Sequence, residues 1–213
     1  QIATDGSLWV ASDGGLAIRA KDGAWRAWGA GTGLKIAQLW GLARMDDGTI
    51  WVSYQEPFGL SHLRVDGTRL STIQHLGTAQ GLASDSIYSL GRDPAGNVWA
   101  GTNDGVVRVS ADGRVSRFGR AQGLGGEDCN PFSFWADAGG DVWLGTTGGL
   151  ERHTAGMEGA VAVAPGAVVL AADAGGRPED GPFDVNGHIQ DVDHGASTVV
   201  FRYATLDFAL DGS

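Results

Sequence analysis

A sequence unit that recurs four times is the feature that most restricts the fold of this chain. Each copy places a tryptophan in a short apolar segment between two turn sequences, as in "GNVWAGTNDGVVRV" at 96–109. The spacings between successive copies are 42, 48 and 44 residues, and the tryptophans are Trp9, Trp51, Trp99 and Trp143. A period of about 40–50 residues is typical of β-propellers, whose repeats each form a blade of four strands. We therefore expect these tryptophans to pack between blades and not to contact ligand.

A second landmark recurs in register with the tryptophans. The segments "GTGL", "AQGL" and "AQGL" end at Leu34, Leu82 and Leu124, and each precedes the next tryptophan by 17, 17 and 19 residues. The two landmarks together predict propeller repeats over 1–158. The units of this region are about 1–34, 35–82, 83–124 and 125–158.

Turn residues separate the short apolar segments within each unit. In the third unit "SIYSLGRD" leads into a turn at Pro94 and Gly96, and Gly105 stands at the next turn before "VVRVS". Glycine is abundant, at 36 of 213 residues, whereas there are only 6 prolines, which fits tight turns between strands. The sequence thus predicts an all-β chain with a partial β-propeller of about four four-stranded blades.

Charge and cysteine content argue against several classes of function. The 15 basic and 25 acidic residues give a net charge of −10, so binding to nucleic acid through charge is not expected. The single cysteine, Cys129, excludes an internal disulfide and a multi-cysteine zinc site. No segment approaches the about 20 apolar residues of a membrane helix, so we expect no direct membrane insertion. The chain starts without methionine and ends at "LDFALDGS", inside a predicted strand, so we expect it to be a piece of a longer protein.

The third unit also resembles a known repeat family. Residues 81–106 contain Gly-Leu, an apolar strand, Asp-x-x-Gly, Trp-x-Gly-Thr and a final Gly-Val, and this order resembles the two-component regulator propeller repeat. The segments at 164–178 and 197–213 resemble the start of the three-tyrosine β-sandwich that follows such propellers, with Tyr203 as the sole tyrosine there. The resemblance implies an incomplete immunoglobulin-like sandwich over 159–213.

The resemblance further implies what the chain does. It suggests the ligand-binding sensor region of a bacterial membrane receptor of the two-component, phosphorelay type. Such a region is non-catalytic, lies in the periplasm as the extracytoplasmic part of an inner-membrane receptor, and is expected to act as a homodimer. In that family a histidine kinase or a diguanylate cyclase forms the cytoplasmic output. We expect no cofactor and no metal.

The unit that departs from its own pattern is the best candidate for a ligand site. The closing glycine follows the tryptophan by six positions in three units and by eight in the second, where "SYQEPFGL" adds a loop. Insertions in one repeat often lie on the binding face. Aromatic rings beside glutamine and glutamate suit a glycan or another small molecule. The predicted ligand residues are this loop and three tryptophans outside the repeated position, for which packing is the alternative: Tyr54, Gln55, Glu56, Phe58, Trp25, Trp28 and Trp40.

Other sequence features leave alternatives open. "EDCNPF" at 127–132 lengthens the fourth unit by two residues, as a second lip of the site or as a tolerated loop. A propeller lyase of the streptogramin-inactivating type is a second possible function and needs a histidine base with a metal; His62 is the only histidine near a candidate loop. A protein-binding scaffold is a third. The polar residues His188, Asp191, Asp193 and His194 could hold a cation, although a solvated loop is the expected interpretation.

Overall fold

The chain folds into antiparallel β-sheets. The computed structural model describes residues 1–156, 167–174, 177–178 and 199–205. The chain divides into two compact units, Gln1–Gly159 and Ala160–Ser213. Among the described residues, the only regular elements besides strands are two short 3-10 turns, Thr78–Gln80 and Arg120–Gln122. The prediction of an all-β fold is confirmed.

The first unit contains four sheets that follow one another along the chain. Sheet 1 consists of β1 (Leu8–Ser12), β2 (Gly15–Arg19) and β3 (Trp25–Trp28). Sheet 2 consists of β4 (Leu39–Arg44), β5 (Ile50–Tyr54), β6 (Leu60–Asp66) and β7 (Arg69–Leu76). Sheet 3 consists of β8 (Ile87–Arg92), β9 (Val98–Thr102), β10 (Gly105–Val109) and β11 (Val115–Phe118). Sheet 4 consists of β12 (Cys129–Ala136), β13 (Val142–Thr146) and β14 (Gly149–His153).

Each sheet is a simple up-and-down meander, as a propeller blade requires. Sheets 2 and 3 have the predicted four strands, whereas sheets 1 and 4 have three within the described residues. In sheet 1 the strand that would precede β1 is reduced to a single bridge between Ile2 and Leu8.

Among its described residues, the second unit forms one sheet of three strands. Its strands are β15 (Ala167–Ala174), β16 (Arg177–Pro178) and β17 (Val199–Thr205), in the order β16-β15-β17. Tyr203 lies on β17 and pairs with Val169. The immunoglobulin-like sandwich remains a prediction.

Consecutive sheets of the first unit pack face to face. The first strand of each sheet, which we call the inner strand, makes most of these contacts, with β1 against β4, β4 against β8 and β8 against β12. Three apolar cores fill the interfaces, and the repeated tryptophans Trp9, Trp51 and Trp99 are buried in them. Among the described residues no comparable contact joins sheet 1 to sheet 4.

Large and small residues alternate across these interfaces. A Cβ atom at Gly91 of β8 would lie 1.9 Å from Cδ1 of Phe134, so the phenyl ring of β12 lies directly on the glycine. Between sheets 2 and 3 the equivalent positions hold Ala43 and Leu90, which pack in the same core. A small residue on the inner strand of one sheet is therefore covered by a large side chain from the inner strand of the next sheet.

The recurring aspartates at the turns have a structural role in the third unit. Asp93 accepts hydrogen bonds from the Asn97 backbone N–H (2.9 Å), from the Asn97 side-chain amide (2.8 Å) and from Nε1 of Trp99 (2.8 Å). Gly96 completes the turn with a φ of +83°, a conformation that favours glycine. The carboxylate thus ties the turn to the buried indole.

Candidate ligand-binding site

One end of sheets 2 to 4 carries both the inserted loop and the beginning of the inner strands. Leu39 at the start of β4 pairs with Tyr54 at the end of β5, so the loop 55–59 leaves the sheet beside Trp40. Ile87 pairs with Thr102 in the same way in sheet 3. We call this side the loop end of the sheets, and the side with the Asp-x-x-Gly turns the turn end.

The inner strands of sheets 2, 3 and 4 are all irregular near the loop end. The register shifts between Leu39 and Gly41 in β4, and between Ile87 and Ser89 in β8. In β12 the shift is longer and extends from Cys129 to Phe134. β-Bulges redirect side chains and are frequent beside functional sites. The residues inside these irregularities include one aromatic in each strand: Trp40, Tyr88 and Phe132.

Two of these aromatic rings stack on each other across the loop end. The ring centroids of Trp40 and Phe132 are 5.0 Å apart and their planes differ by 20°. Nε1 of Trp40 donates a hydrogen bond to the Tyr88 carbonyl at 3.3 Å. The Phe132 side chain is 68% exposed and Trp40 is partly exposed. The contact therefore joins sheets 2, 3 and 4 and presents aromatic surface to solvent.

The backbone at Phe132 is unusual. Its φ of +56° is the only positive value at a non-glycine residue in the described part of the chain. Such backbone costs on the order of 1 kcal/mol or more and concentrates at functional sites. Ser133 holds the bulge by donating its hydroxyl to the Asn130 carbonyl at 2.6 Å. Sequence reasoning marked the two-residue insertion here but did not select Phe132, whose role depends on the register of β12.

The loop 55–59 is exposed at its tip and fixed at both ends. Gln55 donates its side-chain amide to Asp13 of the β1–β2 turn at 2.5 Å, and its backbone N–H to the Gln38 carbonyl at 3.1 Å. Gly59 donates its backbone N–H to the Asp85 carbonyl at 2.9 Å. Glu56 and Phe58, between these anchors, are exposed. The predicted ligand residues Gln55, Glu56 and Phe58 thus lie at the same end as Trp40.

Two predicted ligand residues are instead part of the core. Tyr54 is only 2% exposed and its hydroxyl is hydrogen-bonded to Ser61 at 2.7 Å. Trp28 is 5% exposed and donates Nε1 to the Thr68 carbonyl of sheet 2 at 2.8 Å. Because buried side chains with internal partners cannot meet a ligand, we correct this prediction and assign both residues to packing.

Trp25 is exposed but lies away from the other candidates. It is 58% exposed and pairs with Arg19, at the turn end of β3. The structure therefore brings Trp40 and the loop 55–59 to one end and leaves Trp25 at the other.

His62, the histidine considered for lyase chemistry, is directed away from the loop end. Its ring stacks on Trp51 with centroids 4.5 Å apart, and Nε2 is 2.8 Å from Oγ1 of Thr49 at the turn end. Burial lowers the pKa of His62, and the Asp47 carboxylate opposes this shift more weakly. His62 and Asp47 both line a cavity of about 370 Å³ between sheets 2 and 3.

The described residues contain neither a metal-binding cluster nor a membrane-spanning helix. Within them no group of three or more histidine, cysteine, aspartate or glutamate side chains is arranged to hold a metal ion. The cluster formed by His188, Asp191, Asp193 and His194 lies outside the described residues. No helix in the described part of the chain has the length and apolarity to span a membrane.

Comparison with known proteins supports the sequence resemblance at the repeat. Residues 81–104 match the family model of the two component regulator propeller. This match confirms the predicted repeat in the third unit. No curated protein matches the chain. The three-tyrosine sandwich is not among these findings and remains a prediction.

Solved structures with a similar fold include extracellular domains of two component systems and a streptogramin lyase. The extracellular domain of a protein described as hybrid two component system BT3049 from B. thetaiotaomicron matches with a TM-score of 0.59 and 19% identity, over 83% of this chain and 24% of that one. That of BT4673 from the same organism gives 0.60 and 19%, over 74% and 22%. A streptogramin B lyase gives 0.50 and 15%, over 76% and 55%. The chain spans about a quarter of the two extracellular domains, and the similarity establishes a propeller-type fold.

Proposed function

We propose that this chain is part of the non-catalytic, ligand-binding sensor region of a bacterial two-component receptor, on the extracytoplasmic side of the inner membrane. The two-component propeller repeat at 81–104 supports the signalling context. The observation that carries ligand binding is the stack of Trp40 on Phe132, whose strained backbone holds an exposed ring at the loop end. A homodimer of the receptor and passage of the signal to an output domain are parts of the same proposal.

The chemistry of the loop end suits a glycan or a similar small molecule. The exposed rings of Phe132 and Trp40 offer apolar faces on which the C–H groups of a sugar can stack. The exposed Glu56 and Gln55 provide hydrogen-bond acceptors and a donor for hydroxyl groups. A ligand acts on a receptor only by binding its two arrangements with different affinity, so this site must change between them.

A lyase function is less well supported by the geometry. The lyase fold is similar to this chain, but His62 lies against Thr49 at the turn end, and Thr49 is almost fully buried. The aromatic surface formed by Trp40 and Phe132 and the only histidine proposed as a base are therefore at different ends of the sheets. General base catalysis requires the base within hydrogen-bond reach of the bound substrate.

Calorimetric titration of the chain with soluble oligosaccharides tests the proposed site. For a sugar that binds, Trp40→Ala is expected to weaken affinity by about tenfold or more, as loss of an aromatic anchor does. Glu56→Ala should weaken it to a smaller extent. Trp25→Ala is the matched control because it removes an exposed tryptophan at the opposite end. Equal affinity of Trp40→Ala and wild type would overturn the assignment.

A further inference from the structure

A chain of hydrogen bonds crosses sheet 2 beneath the loop 55–59. Nδ1 of His75 on β7 is 3.1 Å from Oγ of Ser61 on β6, and Oγ is 2.7 Å from the hydroxyl of Tyr54 on β5. The Lys35 backbone N–H donates to that same hydroxyl at 3.2 Å. Ser61 and Tyr54 are both almost fully buried, whereas His75 is partly exposed. This series of hydrogen bonds thus connects the outermost strand of the sheet with Tyr54, the residue directly before the loop.

Only one arrangement of these hydrogen bonds gives a partner to the Lys35 N–H and to both hydroxyl hydrogens, those of Tyr54 and Ser61. The Lys35 backbone can only donate, so the Tyr54 oxygen accepts from it. The Tyr54 hydroxyl then donates to Ser61, and the Ser61 hydroxyl donates to Nδ1 of His75. His75 must therefore be neutral, with its own proton on Nε2.

Protonation of His75 is incompatible with that arrangement. A proton on Nδ1 removes the last acceptor of the chain and adds a donor, so one hydroxyl hydrogen of Tyr54 or Ser61 is left without a partner. A buried hydroxyl without a partner is destabilising. The group left without a partner is a hydroxyl of Ser61 or Tyr54, because both are buried, whereas the partly exposed His75 can bind water.

The groups around His75 shift its pKa in opposite directions. Burial is the main cause that lowers the pKa of His75, and the nearby charge of Lys35 lowers it further. The Asp85 carboxylate and the Leu60 carbonyl raise the pKa. Lys35 lies in the connection before β4 and Asp85 in the connection before β8, so charges of opposite sign face the imidazole from two segments.

The same residues fix the loop. The Tyr54 ring makes an edge contact with Phe58, with centroids 6.1 Å apart. Asp85 accepts the Gly59 backbone N–H on its carbonyl and the Thr78 backbone N–H on its carboxylate. A positive charge on His75 would attract this carboxylate while the hydroxyl chain loses an acceptor. Both ends of the loop are therefore coupled to one imidazole.

We propose that His75 is a pH-sensitive positioning residue for the loop 55–59, which is held in place while His75 is neutral and released when acidification protonates it. The consequence for ligand affinity rests on the proposed function of the loop. The coupling between His75 and the loop does not depend on any ligand.

NMR of the uniformly labelled chain, which reports both the His75 imidazole and the backbone amides, tests the coupling directly. In wild type the His75 imidazole is expected to titrate below pH 6.5, and the backbone amides of Gln55 and Gly59 should shift with the same midpoint. In Ser61→Ala the imidazole midpoint should move upward, because the neutral form loses its hydrogen-bond donor. The proposal would be overturned if the chemical shifts of the loop amides did not change with the His75 titration, or if the imidazole midpoint were unchanged in Ser61→Ala.

A second variant covers the case in which Ser61→Ala does not fold. His75→Gln keeps an acceptor for Ser61 but cannot titrate, so the loop amides should become independent of pH between pH 5 and 8. His62→Gln is the matched control and should leave the loop transition intact. A transition that persists in His75→Gln would assign it to another group. All these readouts are free of ligand, so failure of the proposed sugar binding would be distinguished from failure of the coupling.

Discussion

Replacement of Gly91 by alanine is expected to weaken the contact between sheets 3 and 4. The added Cβ would lie 1.9 Å from Cδ1 and 2.0 Å from Cε1 of Phe134. Carbon atoms in contact need about 3.5–4.0 Å, so the ring would have to move by roughly 1.5–2 Å. Phe134 lies on β12, which packs directly on β8, so this movement separates the two inner strands.

The size of the effect follows from the lost packing. Overpacking of a core typically costs about 1–3 kcal/mol, and the full burial of a phenylalanine contributes about 1.5–3 kcal/mol. Because the overlap involves three ring carbons, including Cγ at 2.7 Å, we expect a loss of about 2–3 kcal/mol in the free energy of unfolding. For a protein of this size the melting temperature should fall by about 5–10 °C. Circular dichroism at fixed protein concentration measures this change.

Two further variants make the test specific. Gly91→Ala combined with Phe134→Leu recreates the pairing of Ala43 with Leu90 between sheets 2 and 3, so the double variant should be more stable than Gly91→Ala alone. The control is Gly14→Ala, where the nearest heavy atom to the new Cβ is Ser12 Oγ at 3.7 Å. It should change stability by no more than about 0.5 kcal/mol. The reasoning is refuted if Gly91→Ala is as stable as wild type, or if the two substitutions are simply additive.

Other variants test the turns and the histidines. Asp93→Ala should lower the free energy of unfolding in urea by about 2–3 kcal/mol, because three donors lose their acceptor, including the buried Nε1 of Trp99. Asp137→Ala, where the carboxylate accepts from the Asp141 backbone, should have a smaller effect, and equal losses would contradict this explanation. Since the pKa of His62 is lowered in the folded state, the unfolded chain binds more protons, and stability should fall as the pH drops through 6.5. His62→Gln should flatten that dependence in unfolding curves measured between pH 5 and 8, and an unchanged slope would exclude His62 as its source.

The sequence predicted the sheets well because their signals are local and repeated. Each unit has the same turn glycines and the same tryptophan, and this pattern predicts a meander of short strands in each unit. The Asp-x-x-Gly turn at Asp93 and the buried position of Trp99 follow from that pattern. The three-stranded sheets 1 and 4 depart from the expected four strands within the described residues.

The candidate site was harder to predict because it depends on register. Tyr54 belongs to the same stretch as the exposed Gln55, but its pairing with Leu39 places it inside the sheet, where Ser61 satisfies its hydroxyl. Phe132 is presented by a bulge with positive φ, and a two-residue insertion in the sequence does not show which side chain it will expose. The contact of Phe132 with Trp40 joins residues from two different repeats.

The indole N–H signals of the chain's eight tryptophans, followed by NMR during addition of oligosaccharides, test the ligand site most directly. The Trp40 indole should shift with a sugar that binds, since Trp40 stacks on Phe132 at the loop end. The buried Trp99 and the distant Trp25 should remain unchanged. A sugar that shifts Trp25 but not Trp40, or the absence of any response across the sugars tested, would contradict the assignment of the loop end as the ligand site.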